Sequence, residues 1–225
     1  VGGFEAIEGL FRIMSETGQK VFWVCTITKY TWQYLNKTSN IADRFAYTVP
    51  LSNLTEKEIN SAILKRHGIS GFSLEFQPTQ RLKSNNKYKR TPENKRGEIA
   101  QSDFFDYLNQ FTGSNLSLAF LFWQRATLKV TEKVITVGYN DSHDYSFLSK
   151  YPDFKIFTLH ALLLHDGLTV TNHAALFNKK ESYSLSHFLL LEDDGIVYNK
   201  KGTYMINPLL YRQVVNLLQA KNFIH

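Results

Sequence analysis

The sequence has little cysteine, little proline and no long apolar run. Cys25 is the single cysteine of the chain, so an internal disulfide framework and a thiolate metal site are excluded. Because it lies in an apolar run, we expect a buried, inert thiol. No stretch approaches the ~20 apolar residues that span a bilayer, and no signal peptide is visible. We therefore expect a cytoplasmic location.

The sequence also lacks a complete nucleotide-hydrolysing or other catalytic apparatus. It contains no G-x-x-x-x-G-K-[ST] phosphate loop, and Gly18-Gln19-Lys20 follows a predicted helix, which is the wrong order for one. The acidic run Glu192-Asp193-Asp194 ends a segment of helical spacing, which argues against a magnesium-holding strand. The histidines are scattered and give no arguable catalytic dyad or metal pair. We therefore expect no metal site in this chain.

The composition favours packed domains. Of 225 residues, 43% are hydrophobic and 14% aromatic, which is enough for a core and argues against global disorder. The formal net charge of +6 permits an acidic partner such as nucleic acid without requiring one.

Residues 1–52 have the pattern of an α/β domain. Apolar residues between Phe4 and Met14 have helical spacing, and Val21–Cys25 is predicted to be a strand buried on both faces. A short helix at Tyr30–Leu35 and a strand at Phe45–Val49 follow. About fifty residues cannot close such a sheet alone. Since the chain does not begin with methionine, we expect the earlier part of this domain to precede it.

Residues 53–137 are predicted to form an all-α module that ends in a strand at 130–137. Thr55 and Glu58 form a capping box at the start of its first helix, which Gly68 ends. Further helices are predicted from Ser102 and from Leu116.

A basic segment, Gln80–Gly97, interrupts this module, and its one acid is Glu93. It has no apolar period, so it is predicted to be either a mobile, solvated loop or an arm that contacts phosphates. Its basic residues are Arg81, Lys83, Lys87, Lys89, Arg90, Lys95 and Arg96.

Residues 144–225 are predicted to form a winged helix-turn-helix. After a polar linker come a helix at 154–164, a helix capped by Thr171 and a helix from Ser182 that Gly195 ends. A hairpin at 196–206 and a closing helix from Pro208 complete the pattern.

Two interpretations of this winged helix stay open. In one, the helix from Ser182 enters the major groove of DNA, while Lys179, Lys180, Lys200 and Lys201 contact phosphates. In the other, the module docks on protein. Acids at Glu181 and at 192–194 repel phosphate, so we favour docking.

Several short motifs of residues 1–137 resemble an AAA+ (P-loop) ATPase, closest to the replication-initiator group with its appended winged helix. Thr28, at the end of the predicted strand, resembles the sensor-1 position, and Arg44-Phe45 resembles the element that carries an arginine finger. Leu54–Gly68 resembles the first lid helix, and Thr112–Asn115 resembles the turn that opens a later one. The sensor-2 arginine would fall near Ser117, where the chain departs from the family.

The resemblance implies a fold of an incomplete AAA+ α/β core (1–52), a helical lid (53–137) and a winged helix (144–225). Thr28 would orient the attacking water and Arg44 would act in a neighbouring subunit's site. The intact parent would bind ATP and magnesium and form an oligomer, with a protein or DNA partner on the winged helix. No cofactor is expected for this chain, which should be inactive alone. The alternative is a DNA-binding winged-helix transcription or replication factor.

Overall fold

The computed structural model describes residues 4–139 and 145–224 and has a mixed α/β fold with two three-stranded sheets. The N-terminal segment (residues 4–52) contains helices α1 (Glu5–Thr17) and α2 (Lys29–Ser39), then a 3-10 turn at Ile41–Arg44. The predicted helix at Tyr30–Leu35 is confirmed as part of α2. None of the described α1 side chains is buried.

The two strands predicted in the N-terminal segment were wrong. Residues 21–28 and 45–55, all of them described, are in neither helix nor strand. The side chains of Phe22 and Val24 are 91% and 74% exposed, and Cys25 is exposed rather than buried. An apolar strand is buried only between neighbouring strands, and no described strand lies beside these residues.

The middle lobe (residues 53–139) packs helices on a three-stranded sheet of order β1-β3-β2, in which β1 and β3 are parallel. The expectation of an all-α module was therefore wrong. The capping box of Thr55 and Glu58 is confirmed, and α3 ends at Gly68 as predicted. The elements are α3 (Glu56–Gly68), β1 (Ser73–Phe76), α4 (Gln80–Ser84), α5 (Asn86–Arg90), α6 (Glu93–Thr112), α7 (Leu116–Arg125), β2 (Thr127–Val130) and β3 (Val134–Val137).

The core of the middle lobe is aromatic. Phe104 and Phe105 of α6 are buried and contact Phe76 of β1 at ring-centroid distances of 5.5 and 5.9 Å. Ile59 and Ile63 of α3 are fully buried against the same cluster. Helix α6 thus packs on the sheet and α3 packs on α6 and α7, through contacts that bring distant parts of the sequence together.

The C-terminal lobe (residues 145–224) has helices around a three-stranded antiparallel sheet of order β4-β6-β5. Lys201 and Gly202 both have positive φ, as a two-residue hairpin turn requires. The cap of the second helix is Thr169 rather than the predicted Thr171. The elements are α8 (Asp153–His165), β4 (Leu168–Thr169), α9 (Val170–Phe177), α10 (Glu181–Asp193), β5 (Val197–Lys200), β6 (Thr203–Ile206) and α11 (Tyr211–Ala220).

Helix α2 of the N-terminal segment packs on the C-terminal lobe. Tyr30 packs against the core of that lobe, and the Thr31 hydroxyl donates to the Leu164 carbonyl at 2.7 Å, near the end of α8. The middle lobe meets the same region, because a Cβ on Gly113, with φ +57 at the end of α6, would lie 3.1 Å from Nε of Arg212. The three parts of the chain therefore meet around α11.

Candidate functional site

Helix α10, which follows α9 after a short connection at residues 178–180, exposes an apolar face. It buries Ser184, His187, Phe188 and Leu191 against the lobe. On its outer side, Leu185, Leu189 and Leu190 are 40%, 47% and 47% exposed. The helix contains no lysine or arginine, and Glu181, Glu192 and Asp193 lie at its ends. This surface offers apolar contact and negative charge to a partner.

Two of the three acids at the end of α10, Glu192 and Asp194, have partners in their own lobe. A carboxylate oxygen of Asp194 accepts from Lys155 Nζ at 2.5 Å and from the Tyr151 hydroxyl at 2.6 Å. Although partial burial opposes it, these two donors lower the pKa of Asp194. Glu192 accepts from the backbone N–H of Asn199 at 3.2 Å. Because these carboxylates have protein partners, they do not fit a magnesium site.

The lysines expected to contact phosphates in the C-terminal lobe are all exposed. Lys179 and Lys180 precede α10, and the Lys179 ammonium lies 5.7 Å from the centroid of the Tyr183 ring. Lys200 and Lys201 lie at the tip of the β5–β6 hairpin. These lysines flank α10, while the surface of the helix itself is apolar and acidic.

The basic segment 80–97 forms helices α4 and α5 and the start of α6, so the expectation of a mobile loop was wrong. Leu82 is buried in the core of the middle lobe, and Thr79 caps α4 while donating to Asp103 at 2.9 Å. Six of the seven basic side chains are exposed, namely Arg81, Lys83, Lys87, Lys89, Arg90 and Lys95. The segment therefore presents fixed positive charge on an anchored surface.

Arg96 differs from the other six bases because it holds the turn between α5 and α6. Its guanidinium donates to the carbonyl of Thr91 at 2.9 Å and to that of Lys89 at 3.0 Å. It also lies 6.0 Å from the ring centroid of Tyr88. Its hydrogen bonds satisfy backbone carbonyls at a helix end, so its role is structural.

The structure does not bring the two expected catalytic residues together. Thr28 caps α2, and its hydroxyl lies 2.8 Å from the hydroxyl of Thr31. Arg44 is exposed, and its guanidinium lies 5.8 Å from the ring centroid of Phe11. No hydrogen bond or ion pair joins them among the described residues. Neither Thr28 and Arg44 nor Gly18-Gln19-Lys20 at the end of α1 fits a phosphate and magnesium site within this chain.

The residues near the expected sensor-2 position are likewise not grouped with Thr28 and Arg44. Ser117 is exposed on α7. Arg125, two turns later, lines a small pocket of about 100 Å³ between the middle and C-terminal lobes, together with Phe111 and Leu209.

A buried polar cluster inside the C-terminal lobe was missed by sequence reasoning. His173 Nδ1 lies 2.8 Å from the Ser184 hydroxyl, and Nε2 lies 3.1 Å from the Thr158 hydroxyl. Burial, with a smaller contribution from the charge of His187, lowers the pKa of His173 to about 4. Ser184 is fully buried, and the group on the other side of the histidine is the Thr158 hydroxyl rather than a carboxylate. The cluster therefore does not activate a nucleophile; its hydrogen bonds join α8, α9 and α10.

The three residues are 15 and 11 positions apart along the sequence, so no local motif marks the cluster. A histidine on the inner face of a short helix is the one available signal. The described residues also contain no group of three metal-ligating side chains and no helix long and apolar enough to cross a membrane. No family model, curated protein or solved structure matches this chain.

Proposed function

We propose that this chain is the C-terminal part of an AAA+ ATPase, and that its C-terminal lobe is a winged helix that docks on protein rather than on DNA. The single observation that carries the docking proposal is the surface of α10. In a DNA-binding winged helix this helix meets phosphates and base edges. Here its outer face presents three leucines between acidic ends.

The order of elements in the C-terminal lobe supports the winged-helix assignment. A helix, a short strand, two helices, a hairpin and a further helix follow one another, and the short strand pairs with the second strand of the hairpin. This is the order that the helix-turn-helix pair and its wing require.

The N-terminal segment supports the AAA+ part of the proposal. Phe22, Val24, Tyr47, Val49 and Leu51 are between 74% and 92% exposed in segments with strand-like composition. Clusters of exposed apolar residues mark a surface that is covered by another structure. Neighbouring strands of an α/β core would cover these residues.

The packing of α2 supports a coupling between that core and the winged helix. The Thr28 hydroxyl contacts Thr31, and Thr31 donates to the carbonyl of Leu164. A change at Thr28 therefore reaches the end of α8 through two hydrogen bonds. On this proposal, a movement of the AAA+ α/β core shifts the C-terminal lobe.

The docking proposal is tested by titrating a random-sequence DNA duplex into the ¹⁵N-labelled chain. We expect no amide shift changes along α10, because an apolar and acidic face does not approach phosphates. Changes centred on Ser182 to Leu189 would contradict docking and favour the DNA-binding alternative.

A photo-crosslinker at Leu189 gives the complementary test in cells. We expect a discrete protein adduct that the added substitution Leu185→Glu removes. The same crosslinker at the exposed Asn216 on α11 is the matched control and should give no such adduct. Equal labelling from both positions would count against a docking face on α10.

The ATPase assignment is tested by the gene sequence on the 5′ side of the Val1 codon. We expect a phosphate loop followed by a strand that ends in acids. An open reading frame without them would refute this part of the proposal. For the chain as it stands, calorimetric titration with Mg-ATP should show no binding tighter than roughly millimolar, about 4 kcal/mol.

A second candidate function is nucleic-acid binding by the middle lobe. The observation that favours it is the exposed basic surface of α4 and α5. The buried side chain of Leu82 anchors this surface on the lobe. Such contact would be independent of base sequence and steeply dependent on salt, because phosphate contacts release counterions.

A further inference from the structure

A pocket opens on the C-terminal lobe between α8, α9 and α10. Its volume is about 120 Å³. The lining is largely aromatic and includes Phe154, Phe157, Phe177, Tyr183 and His187. An engineered protein cavity of roughly 150 Å³ lined by apolar side chains binds benzene, so this pocket is of the size that takes one six-membered ring. Phe154, Phe157 and Tyr183 are partly exposed, so a ring can enter from the surface.

The pocket also contains a hydrogen-bond acceptor. Nδ1 of His187 lies 2.8 Å from the Tyr183 carbonyl, so this nitrogen carries the proton and donates. In the neutral ring Nε2 is then an acceptor, and it has no hydrogen-bond partner among the described residues. His187 is 9% exposed, and its unpaired Nε2 is not among the fully buried polar atoms, so a ligand can reach it from the surface. Both nitrogens of the other histidine in the lining, His173, already have partners.

The charge at the pocket is positive. Among the described side chains that line it, Lys179 is the one lysine, and there is no arginine or carboxylate. This lysine repels a cationic ligand and favours one that carries a carboxylate beside its ring.

We infer that this pocket receives a tyrosine side chain of the protein partner, next to an acidic residue of that partner. The phenol ring matches the volume, its hydroxyl can donate to His187 Nε2, and the carboxylate pairs with Lys179. Phenylalanine lacks the donor, and the two fused rings of tryptophan exceed the space. This inference rests on the proposed docking function. Tyr183 and Leu190, seven residues apart on α10, lie on one side of the helix, so one partner can cover the pocket together with Leu190.

The pocket is tested with p-cresol, which reproduces the tyrosine side chain, and with toluene, which lacks its hydroxyl. Both are titrated into the full chain while the ring resonances of the histidines are followed by NMR. We expect p-cresol to shift His187 and to bind about fivefold more tightly than toluene. In His187→Phe, which keeps an aromatic ring but removes the acceptor, the two ligands should bind within about twofold of each other. Equal binding to the unaltered chain, or shifts only at other histidines, would overturn the inference.

The charge requirement is tested with two acetylated pentapeptides, Gly-Glu-Tyr-Glu-Gly and Gly-Lys-Tyr-Lys-Gly. The acidic peptide should bind at least about fivefold more tightly, and Lys179→Gln should remove that preference. Since Lys179 is exposed, this variant is expected to fold even if His187→Phe does not. A preference that survives Lys179→Gln would overturn the inference that an acidic residue of the partner pairs with Lys179.

The inference and the proposed function fail in different experiments. Suppose that p-cresol binds as expected while the crosslinker at Leu189 captures no protein. The docking function is then contradicted, and the pocket is a site for a free phenol. This result would overturn the assignment of the pocket to a partner's tyrosine. If p-cresol does not bind, the tyrosine anchor is refuted whether or not the crosslinker captures a protein.

Discussion

The middle lobe and the C-terminal lobe both pack helices on a three-stranded sheet, and their exposed helices carry opposite chemistry. In the middle lobe, α4 and α5 expose five bases on short helices anchored by Leu82. In the C-terminal lobe, α10 exposes three leucines and has acids at its ends. The net positive charge of the whole chain therefore does not mean that every exposed helix is basic, and α10 is not.

The buried and exposed sides of α10 should differ most in what they contribute to stability. Phe188 is fully buried and stacks on Tyr204 at 4.3 Å, so Phe188→Ala should lower the free energy of unfolding by about 3–5 kcal/mol. Its neighbour Leu189 is 47% exposed, and Leu189→Ala should change stability by less than about 0.5 kcal/mol. Denaturant unfolding followed by circular dichroism measures both. Similar losses would mean that the outer face of α10 is packed.

The next effect compares the two basic surfaces directly. Replacing the five bases of α4 and α5 by glutamine should weaken binding to a DNA duplex by about 100-fold or more at low salt, because several phosphate contacts are lost together. Replacing the four lysines beside α10 and at the hairpin tip of the C-terminal lobe should weaken it less than about threefold. Fluorescence anisotropy measures both. The substituted sets are Arg81, Lys83, Lys87, Lys89 and Arg90, and Lys179, Lys180, Lys200 and Lys201. The reverse order would place nucleic-acid contact on the C-terminal lobe rather than on the middle lobe.

A third prediction concerns the stability that the C-terminal lobe loses in acid. The folded-state pKa of His173 is about 4, below the ordinary 6.5, so the unfolded chain binds more protons between these values. Stability present above about pH 6.5 is therefore lost as the pH falls towards 4, and the thermal midpoint should drop by several degrees. His173→Gln should reduce this slope, whereas the control His165→Gln, at an exposed helix end, should retain it. An unchanged slope in His173→Gln would place the acid sensitivity elsewhere.

The smallest effect concerns the contact between α2 and the C-terminal lobe. Thr31→Val keeps the shape of the side chain and removes the hydrogen bond to Leu164, which should cost about 1 kcal/mol. Thr38→Val on the same helix removes a bond to the Tyr34 carbonyl within α2 and is the matched control, with a loss below about 0.5 kcal/mol. Thermal unfolding of both variants tests this. Equal losses would show that the hydrogen bond from Thr31 to Leu164 contributes no more stability than a bond within α2.

The C-terminal lobe was predicted well because its signals are local. Gly195, the tight turn at Lys201 and Gly202, and the apolar spacing of α8 and α10 each lie within one element or turn. The middle lobe was predicted less well, since β1 is four residues long and pairs with β3 about sixty residues later, at Ser73 and Val134. No short-range pattern encodes such a pairing.

The candidate surfaces could also be predicted only in part from local sequence patterns. The absence of bases from α10 is visible in the sequence, but which of its leucines face outward requires the packing of Phe188 and Leu191. The segment 80–97 was taken for a loop because its apolar residues have no period. Leu82 and Tyr88 nevertheless anchor it, since single apolar side chains suffice for helices of five residues packed on a larger core.

The packing of α2 has a consequence for the order in which the chain folds during synthesis. Thr31 and Leu164 are 133 residues apart, so α2 leaves the ribosome long before its docking surface exists. At roughly 5–20 residues per second, this delay lasts about 7 to 27 s. During that time Tyr30 and the exposed apolar residues at 21–27 have no described surface of the C-terminal lobe to meet, which favours capture by a chaperone. Docking of α2 is therefore a late step, completed only after α8 has formed.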